Sequence, residues 1–592
     1  MPHRASTYLR YILRRAMSPR RYREIGLLVL AAAIGCLAGG VVTAMSWITN
    51  YAHVLLFGLP MHARLSGQDA LASPWLALVP MVGGTLLVVL GLAVRRVIRR
   101  SPVDPIEANA LHGGRMSVGE SLYVAAQTMI SSGFGASVGL EAGYTQASSG
   151  IASHIALALR LRRSEVRMLV GCAAAGAISA AFDAPIAGAF YGFELIIGTY
   201  TVTLVAPVLA ASLTASLTAD WLGAVQTPVQ MGTVPPTSAV ELLPFLALGV
   251  LGGLAAVLVM QLVTGVEQLF RLARCPAWLR PVTGGVLVGG LALISPHVLS
   301  SGHGALHVEL QSSSTWQALI ILFALKTAAS AISLGSGFRG GLFFASLYLG
   351  ALLGKAYALI LVALGWTTDL PPILATVVGM ASMAVGVVGG PMTMTFLVLE
   401  TTRDLAITGA VLAASIMSAV IVRETFGYSF STWRLHLRGE TIRSAHDVGW
   451  MRNLTVSRMM RAGVRTVSSG QSLETFRKQF PLGSTQRVIV VDDDGRYAGI
   501  VVVADAYALN VSGDDVARMT LAKLARHPGV ALVPSMNVTD AAKMFEVTNS
   551  EELAVVDSLK TLKVVGLLTE QHLLRRYAEE LDKARRDLAG EP

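Results

Sequence analysis

AFDAPIAGAFYGFEL (residues 181–195) and VVGGPMTMTFLVLET (residues 387–401) set a proline nine residues before a glutamate twice in one chain, at Pro185/Glu194 and Pro391/Glu400. Upstream of each lies a Gly-Leu pair in a glycine-rich stretch. Gly139-Leu140 comes 46 residues before the first proline, and Gly341-Leu342 comes 50 before the second. Elements recurring in one order at matched spacing point to a duplicated architecture, with halves at about 24–225 and 240–430. The competing reading is chance similarity in a chain so rich in Gly, Ala and Leu.

Composition says what kind of duplicated chain this is. Hydrophobic residues make up 53% of the 592 residues and charged residues 14%, about half the charged share of an ordinary soluble domain. Mean hydropathy is +0.58. These values exclude disorder, a disulfide scaffold and a plain cytosolic enzyme, and they leave a polytopic membrane protein in a lipid bilayer. The net charge, 47 − 37 = +10, reads as Lys and Arg on cytoplasmic loops rather than a nucleic-acid surface. Residues 1–23 form a basic stretch with seven arginines. The apolar run at 25–48 follows it, and a second run at 75–94 ends at Arg95, Arg96, Arg99 and Arg100. Both arginine clusters fit a cytosolic N-terminus, and an even number of spans would make both termini cytosolic in the cell membrane. Later apolar runs at 168–198, 203–223, 242–266, 283–299, 317–334, 342–364, 372–399 and 405–422 are interrupted by Gly and Pro. In a bilayer, broken helices survive only against protein or a water-filled cavity.

Two motif matches lack their context. GASVG (135–139) fits a nucleophile elbow and GSGFRG (335–340) a dinucleotide fingerprint, yet both follow membrane segments, and no acid appears after Gly340 until Asp369. Cys36, Cys172 and Cys275 form no CxxC pair, and the histidines show no metal spacing. Neither a catalytic constellation nor a metal site is expected. What the glycine turns do share is exposed backbone N–H at a helix start, where the dipole favours an anion without a full positive charge. Such binding suits conduction, which requires release as well as capture. The other reading is glycines that only permit close helix packing. Glu141, inside the first turn, favours the first reading. A carboxylate at membrane depth is costly; at a helix N-terminus it competes with anions, and protonation releases it. Its bland role is a structural carboxylate satisfied by the dipole. Glu194 and Glu400 read as structural acids that bond loop backbone or a basic partner, with proton carriage as the other reading. Asp183 and Asp404 read as caps.

After about residue 440 charges become frequent. RVIVVDDDGRYAGIVVV reads as a strand, a turn at Asp494-Gly495 and a strand; ELAVVDSLKTLKVVGLLT repeats that plan. Helical stretches at 473–480 and 538–547 precede the two hairpins. This is a soluble α+β repeat ending in a charged tail, 578–592.

Residues 24–440 resemble the CLC family of chloride channels and anion/proton antiporters. VGLEAG (138–143) resembles its G-[RK]-E-G-P element, and RGGLFFASLYLGALLG (339–354) its G-G-[IV]-F-x-P element. AAFDAPIAGAFYGFE (180–194) and LVLETTRD (397–404) resemble its A-F-N-A-P-L-A-G and L-x-L-E-M-T-x-D segments. The resemblance implies an all-α membrane domain with an inverted internal repeat, assembled as a homodimer with one pore per subunit. It makes Glu141 the gate, and it carries anion coordination over to Gly139, Leu140, Gly341, Leu342 and Phe343. The repeat at 453–510 and 519–577 is similar to a pair of CBS domains, a regulatory module that in some members binds an adenine nucleotide.

Departures from the family pattern carry information too. SPVDP (101–105) stands where the family has G-S-G-I-P, so Pro102 takes the place of its anion-binding serine, with Ser101 adjacent. In plant relatives a proline there accompanies nitrate preference. The antiporters' inner proton glutamate falls on Leu195, beside Glu194. The pore tyrosine falls on Phe430. Each CBS copy keeps half of the nucleotide pattern, Asp505 in the first and Thr569 in the second. No cofactor is required, and an adenine nucleotide at the CBS pair is the one candidate. The resulting expectation is chloride or similar anion transport gated by Glu141, channel-like or weakly proton-coupled, with CBS regulation. A second reading is a proton-coupled antiporter, nitrate-preferring in one version. A more remote one is a membrane sensor with CBS output.

Overall fold

The computed structural model describes residues 19–60, 63–95, 101–224, 242–366, 370–438, 454–508 and 519–589. The arginines before residue 19 and those at 96, 99 and 100 lie outside the described residues. The chain divides into two units, Met1–Asp447 and Val448–Pro592.

The first unit is helical. Its helices are α1 (Pro19–Phe57), α2 (Val79–Val94), α3 (Pro105–Leu111), α4 (Val118–Gly133), α5 (Glu141–Ala158), α6 (Arg163–Phe182), α7 (Pro185–Tyr191), α8 (Val202–Trp221) and α9 (Leu242–Leu272). They continue as α10 (Arg280–Ile294), α11 (His303–Gln311), α12 (Trp316–Ser336), α13 (Phe343–Ala363), α14 (Pro372–Val388), α15 (Pro391–Thr402), α16 (Leu405–Thr425) and α17 (Phe430–Leu437). Among the described residues, 8 helices are long and apolar enough to cross a membrane. Starts are set by local chemistry. Pro105, Pro185, Pro372 and Pro391 each occupy the first turn, where a missing N–H costs nothing. Asp104 caps α3 through the Ile106 N–H at 2.8 Å, and Asp404 caps α16 through Ala406 at 2.8 Å.

Two of the apolar runs interrupted by Gly and Pro are broken helices. The run at 168–198 stops at Asp183, whose φ of +51° is left-handed, and restarts at Pro185. It ends in a wide turn, 192–197, around Glu194. The run at 372–399 stops at Gly389, φ +89°, and restarts at Pro391. Proline cannot continue the preceding helix, because it lacks an N–H and its ring clashes with the carbonyl four residues back. The breaks place two short helices, α7 and α15, against each other. Glu194 then accepts from the N–H groups of Met392 (2.9 Å) and Thr393 (2.8 Å), at the start of α15. Glu400 accepts from those of Ile186 and Ala187, both 2.8 Å, at the start of α7. Each half thus caps a helix of the other. The halves also meet in an antiparallel bridge, Gly139 N–H to Gly341 O at 2.9 Å and Gly341 N–H to Gly139 O at 3.0 Å.

The second unit is α+β. Strands β2 (Thr466–Ser468), β3 (Arg487–Val491) and β4 (Tyr497–Val502) form one sheet, in the order β2-β3-β4. β1 (Arg461–Ala462), β6 (Val564–Thr569) and β5 (Glu552–Val556) form the other, in the order β1-β6-β5. Lead-in segments are exchanged. Leu454, Val456 and Met459 join the core of the second copy, and Leu521 joins that of the first. Ile489, Tyr497 and Ile500 share a further cluster with Ala554 and Val556, so the two copies form one packed body.

Candidate functional site

The Gly139–Gly341 bridge brings the starts of α5 and α13 together, and Glu141 stands at that junction. Its side chain is 5% exposed. A Cβ added at Gly139 would overlap its Oε2, and one at Gly341 would come within 3.4 Å of it, so both glycines make room for the carboxylate. The N–H groups of Glu141 and Phe344 face the carboxylate. Even so, Oε2 has no partner at hydrogen-bond distance among the described residues. The acid is therefore buried against helix N-termini but loosely held.

Two cavities adjoin it. The larger, about 150 Å³, is lined by Pro102, Arg339, Gly341, Leu342, Phe343 and Phe430, among others. The smaller, about 80 Å³, is lined by His53, Arg64, Leu140, Tyr144 and His303, among others. Glu141 is the one described residue common to both linings. Gly139, expected among the anion-coordinating residues, lines neither cavity and instead lies against the carboxylate. Ser101 is exposed and lies outside both linings, while Pro102 enters the larger one. The Asp104–Ile106 cap turns the chain at Pro105, and this geometry leaves Ser101 outside. Leu195 is 8% exposed and packs with Ile106, Val170, Ala174, Ile196 and Leu435, out of both cavities. Glu194 and Glu400 are occupied as helix caps.

The voltage gated chloride channel family profile matches residues 83–423. The chain belongs to that family. A ClcB-like chloride channel protein of Ralstonia nicotianae is 30% identical over 374 residues, which is 61% of this chain and 87% of that protein. The voltage-gated ClC-type chloride channel ClcB of Salmonella dublin is 26% identical, over 67% of this chain and 95% of its own. Among solved structures, a slow cyanobacterial Cl⁻/H⁺ antiporter matches with TM-score 0.61 and 20% identity, covering 70% of this chain and 97% of that one. A eukaryotic CLC transporter matches with TM-score 0.57 and 15% identity, covering 92% and 97%. At those identities the structures establish the fold. A CBS domain profile matches residues 456–509. The chain is accordingly a multi-pass CLC-type anion transport protein with a C-terminal CBS region.

In this CLC protein the larger cavity holds groups that motif reading missed. Arg339, Arg434 and Arg438 line it together with Asp104 and Tyr191. Arg339 lies next to a recognised motif, but nothing in the sequence joins it to an arginine 95 positions later.

The CBS residues are already engaged. Asp505 pairs with Arg526 at 2.6 Å. Arg526 exchanges backbone bonds with Ile500 (2.9 and 2.8 Å), which lays residues 525–526 over Gly499. Thr569 Oγ1 accepts from the His572 N–H at 3.2 Å and caps the last helix, Glu570–Ala589. The first copy has Val502 where the nucleotide pattern needs a hydroxyl, and the second has His572 where it needs an acid. The residues present do not fit an adenine nucleotide without displacing Arg526.

Proposed function

We propose that the protein moves chloride or a similar small monovalent anion between the two cavities, with Glu141 as the gate. The observation that carries this reading is that Glu141 alone, among the described residues, belongs to both linings. While its carboxylate fills the cradle, the cavities are separate. When it leaves, the helix starts at α5 and α13 become free to receive an anion by backbone N–H and dipole. Protonation weakens the hold of those donors on the carboxylate and favours its departure.

The transport mode is channel-like or weakly proton-coupled. Leu195 offers no exchangeable proton and sits in an apolar cluster. The second reading, a proton-coupled antiporter, draws on the smaller cavity, where Tyr144 and His53 share the lining with Glu141. Two solved structures of like fold are described as Cl⁻/H⁺ and fluoride/proton antiporters. Pro102 in the larger lining extends the substrate range to nitrate. A homodimer in the cell membrane with cytosolic termini and a regulatory CBS pair completes the proposal.

The test is reconstitution in liposomes under a chloride gradient, recording chloride efflux and external pH together. Chloride flux without stoichiometric proton movement supports the channel-like mode. Proton flux that disappears in Glu141→Gln while chloride still leaks establishes the antiporter. Absence of chloride and nitrate flux overturns the transport reading.

A further inference from the structure

We propose that the larger cavity is an oxyanion-binding chamber, with Arg339, Arg434 and Arg438 as its recognition groups and a small dianion of the sulfate or phosphate class as its ligand. The three guanidinium groups come from two places in the fold. Arg339 lies in the loop between α12 and α13; Arg434 is on α17 and Arg438 directly follows it. All three line the one cavity, and Arg339 and Arg438 both act electrostatically on Arg434. Arg434 lies over the Phe430 ring, its Cζ 5.8 Å from the ring centre, which fixes the group without using up its N–H donors.

Like charges held together call for an anion, and the two acids that also act on Arg434, Asp104 and Glu267, are partly committed elsewhere. Glu267 is paired with Arg271, and Glu107 with His112 at 3.6 Å. Asp104 lines the cavity, but one of its oxygens is committed to the Ile106 N–H. None of the three arginine side chains makes an ion pair or hydrogen bond among the described residues. Setting Glu141 aside as the gate, the lining carries three positive charges against one negative, an excess of two.

Ligand chemistry follows from the donors. A guanidinium presents parallel N–H pairs that match two oxygens on one atom, whereas a halide offers a single point. The volume of about 150 Å³ admits a polyatomic anion with waters, since one water needs roughly 10–15 Å³. A dianion suits the excess of two, but it is poorly suited to the Glu141 cradle, whose donors are backbone N–H groups without full charge. It would stay in the chamber and obstruct monovalent anions entering from that side. This last consequence rests on the transport reading above; the binding itself does not.

The experiment is calorimetric titration of the full chain in detergent micelles with sodium sulfate, ionic strength held constant with sodium gluconate. Saturable binding is expected. It should weaken at least tenfold in Arg434→Gln and in Arg339→Gln, recover in part in Arg434→Lys, and stay unchanged in Arg423→Gln, which alters an arginine paired outside the cavity with Glu424. If the first two variants do not elute as folded protein, Arg438→Gln, at an exposed position, carries the test with a weakening of threefold or more. No saturable binding, or equal binding in wild type and folded variants, overturns the proposal. A second arm adds sulfate to one face of chloride-loaded liposomes. Inhibition from one face only, relieved in Arg434→Gln, supports the chamber as a mouth of the path. Binding in micelles without inhibition keeps the site but refutes obstruction. Binding with no chloride flux at all refutes the transport reading and leaves the site standing.

Discussion

Glu141 occupies the space that a side chain at Gly139 would need: its Oε2 lies where a Cβ of residue 139 would fall. The glycine is thus the floor of the carboxylate's cradle, and the carboxylate fits there only because that floor is bare. Gly139→Ala should force the carboxylate out of the cradle. Chloride flux in liposomes should rise at neutral pH and lose most of its acid activation. Glu141→Gln removes titration while keeping shape, so its flux should also become independent of pH. A Gly139→Ala protein that stays folded, yet keeps wild-type flux and pH response, would show that the carboxylate does not block the path.

The reciprocal caps make a second, graded prediction. Glu194 satisfies two backbone N–H groups and the Thr393 hydroxyl, the latter at 2.6 Å. Glu400 satisfies two backbone N–H groups. Alanine at either site strands backbone donors at a helix start, part-buried except for the Ile186 N–H, at about 1–3 kcal/mol for each donor that is left unsatisfied and buried. Glu194→Ala should therefore lower the thermal midpoint more than Glu400→Ala, as read by the temperature at which the detergent-solubilised protein loses its monodisperse elution peak. A reversed order would mean that the caps do not carry the joint between the halves.

These two relationships also mark what the sequence discloses. The Pro-to-Glu spacing and the Gly-Leu pairs are local strings, so the repeat, the cradle and Glu141 can be found by reading along the chain. The partners of Glu194 and Glu400 cannot be. Each lies about 200 positions away, and an acid at the end of an apolar run shows nothing of the helix it caps. The breaks inside 168–198 and 372–399 are signalled by the Gly and Pro that interrupt those runs, with Pro185 and Pro391 at the restart points, but the helix that each restart meets is not. The arginine cavity is silent for the same reason: Arg339 and Arg434 converge only once α12, α13 and α17 have packed. In the CBS region the hairpins show by alternation and an Asp-Gly turn. The two-residue β1, crossing to pair with β6, is too short to carry a pattern.

The CBS pair should not respond to adenine nucleotides in its present form. Arg526 holds Asp505 and covers Gly499. Titration of the full chain with AMP, ADP or ATP should leave its melting temperature unchanged, and should not alter chloride flux. Arg526→Ala frees the acid, so any weak nucleotide-dependent stabilisation should appear there first. A stabilisation of the wild-type protein by several degrees at millimolar ATP would mean that the Arg526 segment yields to ligand.

The ion pair between α11 and α13 provides the sharpest stability test in the membrane unit. Lys355 Nζ donates to Glu309 Oε1 at 2.8 Å, to the Glu309 carbonyl at 2.6 Å and to the Ser312 carbonyl at 2.8 Å. Both side chains are close to nine-tenths buried. Removing one partner leaves an uncompensated buried charge, which costs about 3–5 kcal/mol, whereas replacing both by apolar groups of similar volume is often close to neutral. Lys355→Met and Glu309→Leu should each destabilise the protein strongly. The double variant should be less impaired than the sum of the two, and less than Lys355→Met alone, where Glu309 is stranded with only the Ser312 and Ser314 hydroxyls. A double-mutant cycle on thermal stability measures this coupling. Additive losses would mean that the two charges act through separate contacts, with Lys355 serving mainly to tie down the carbonyl groups at the end of α11.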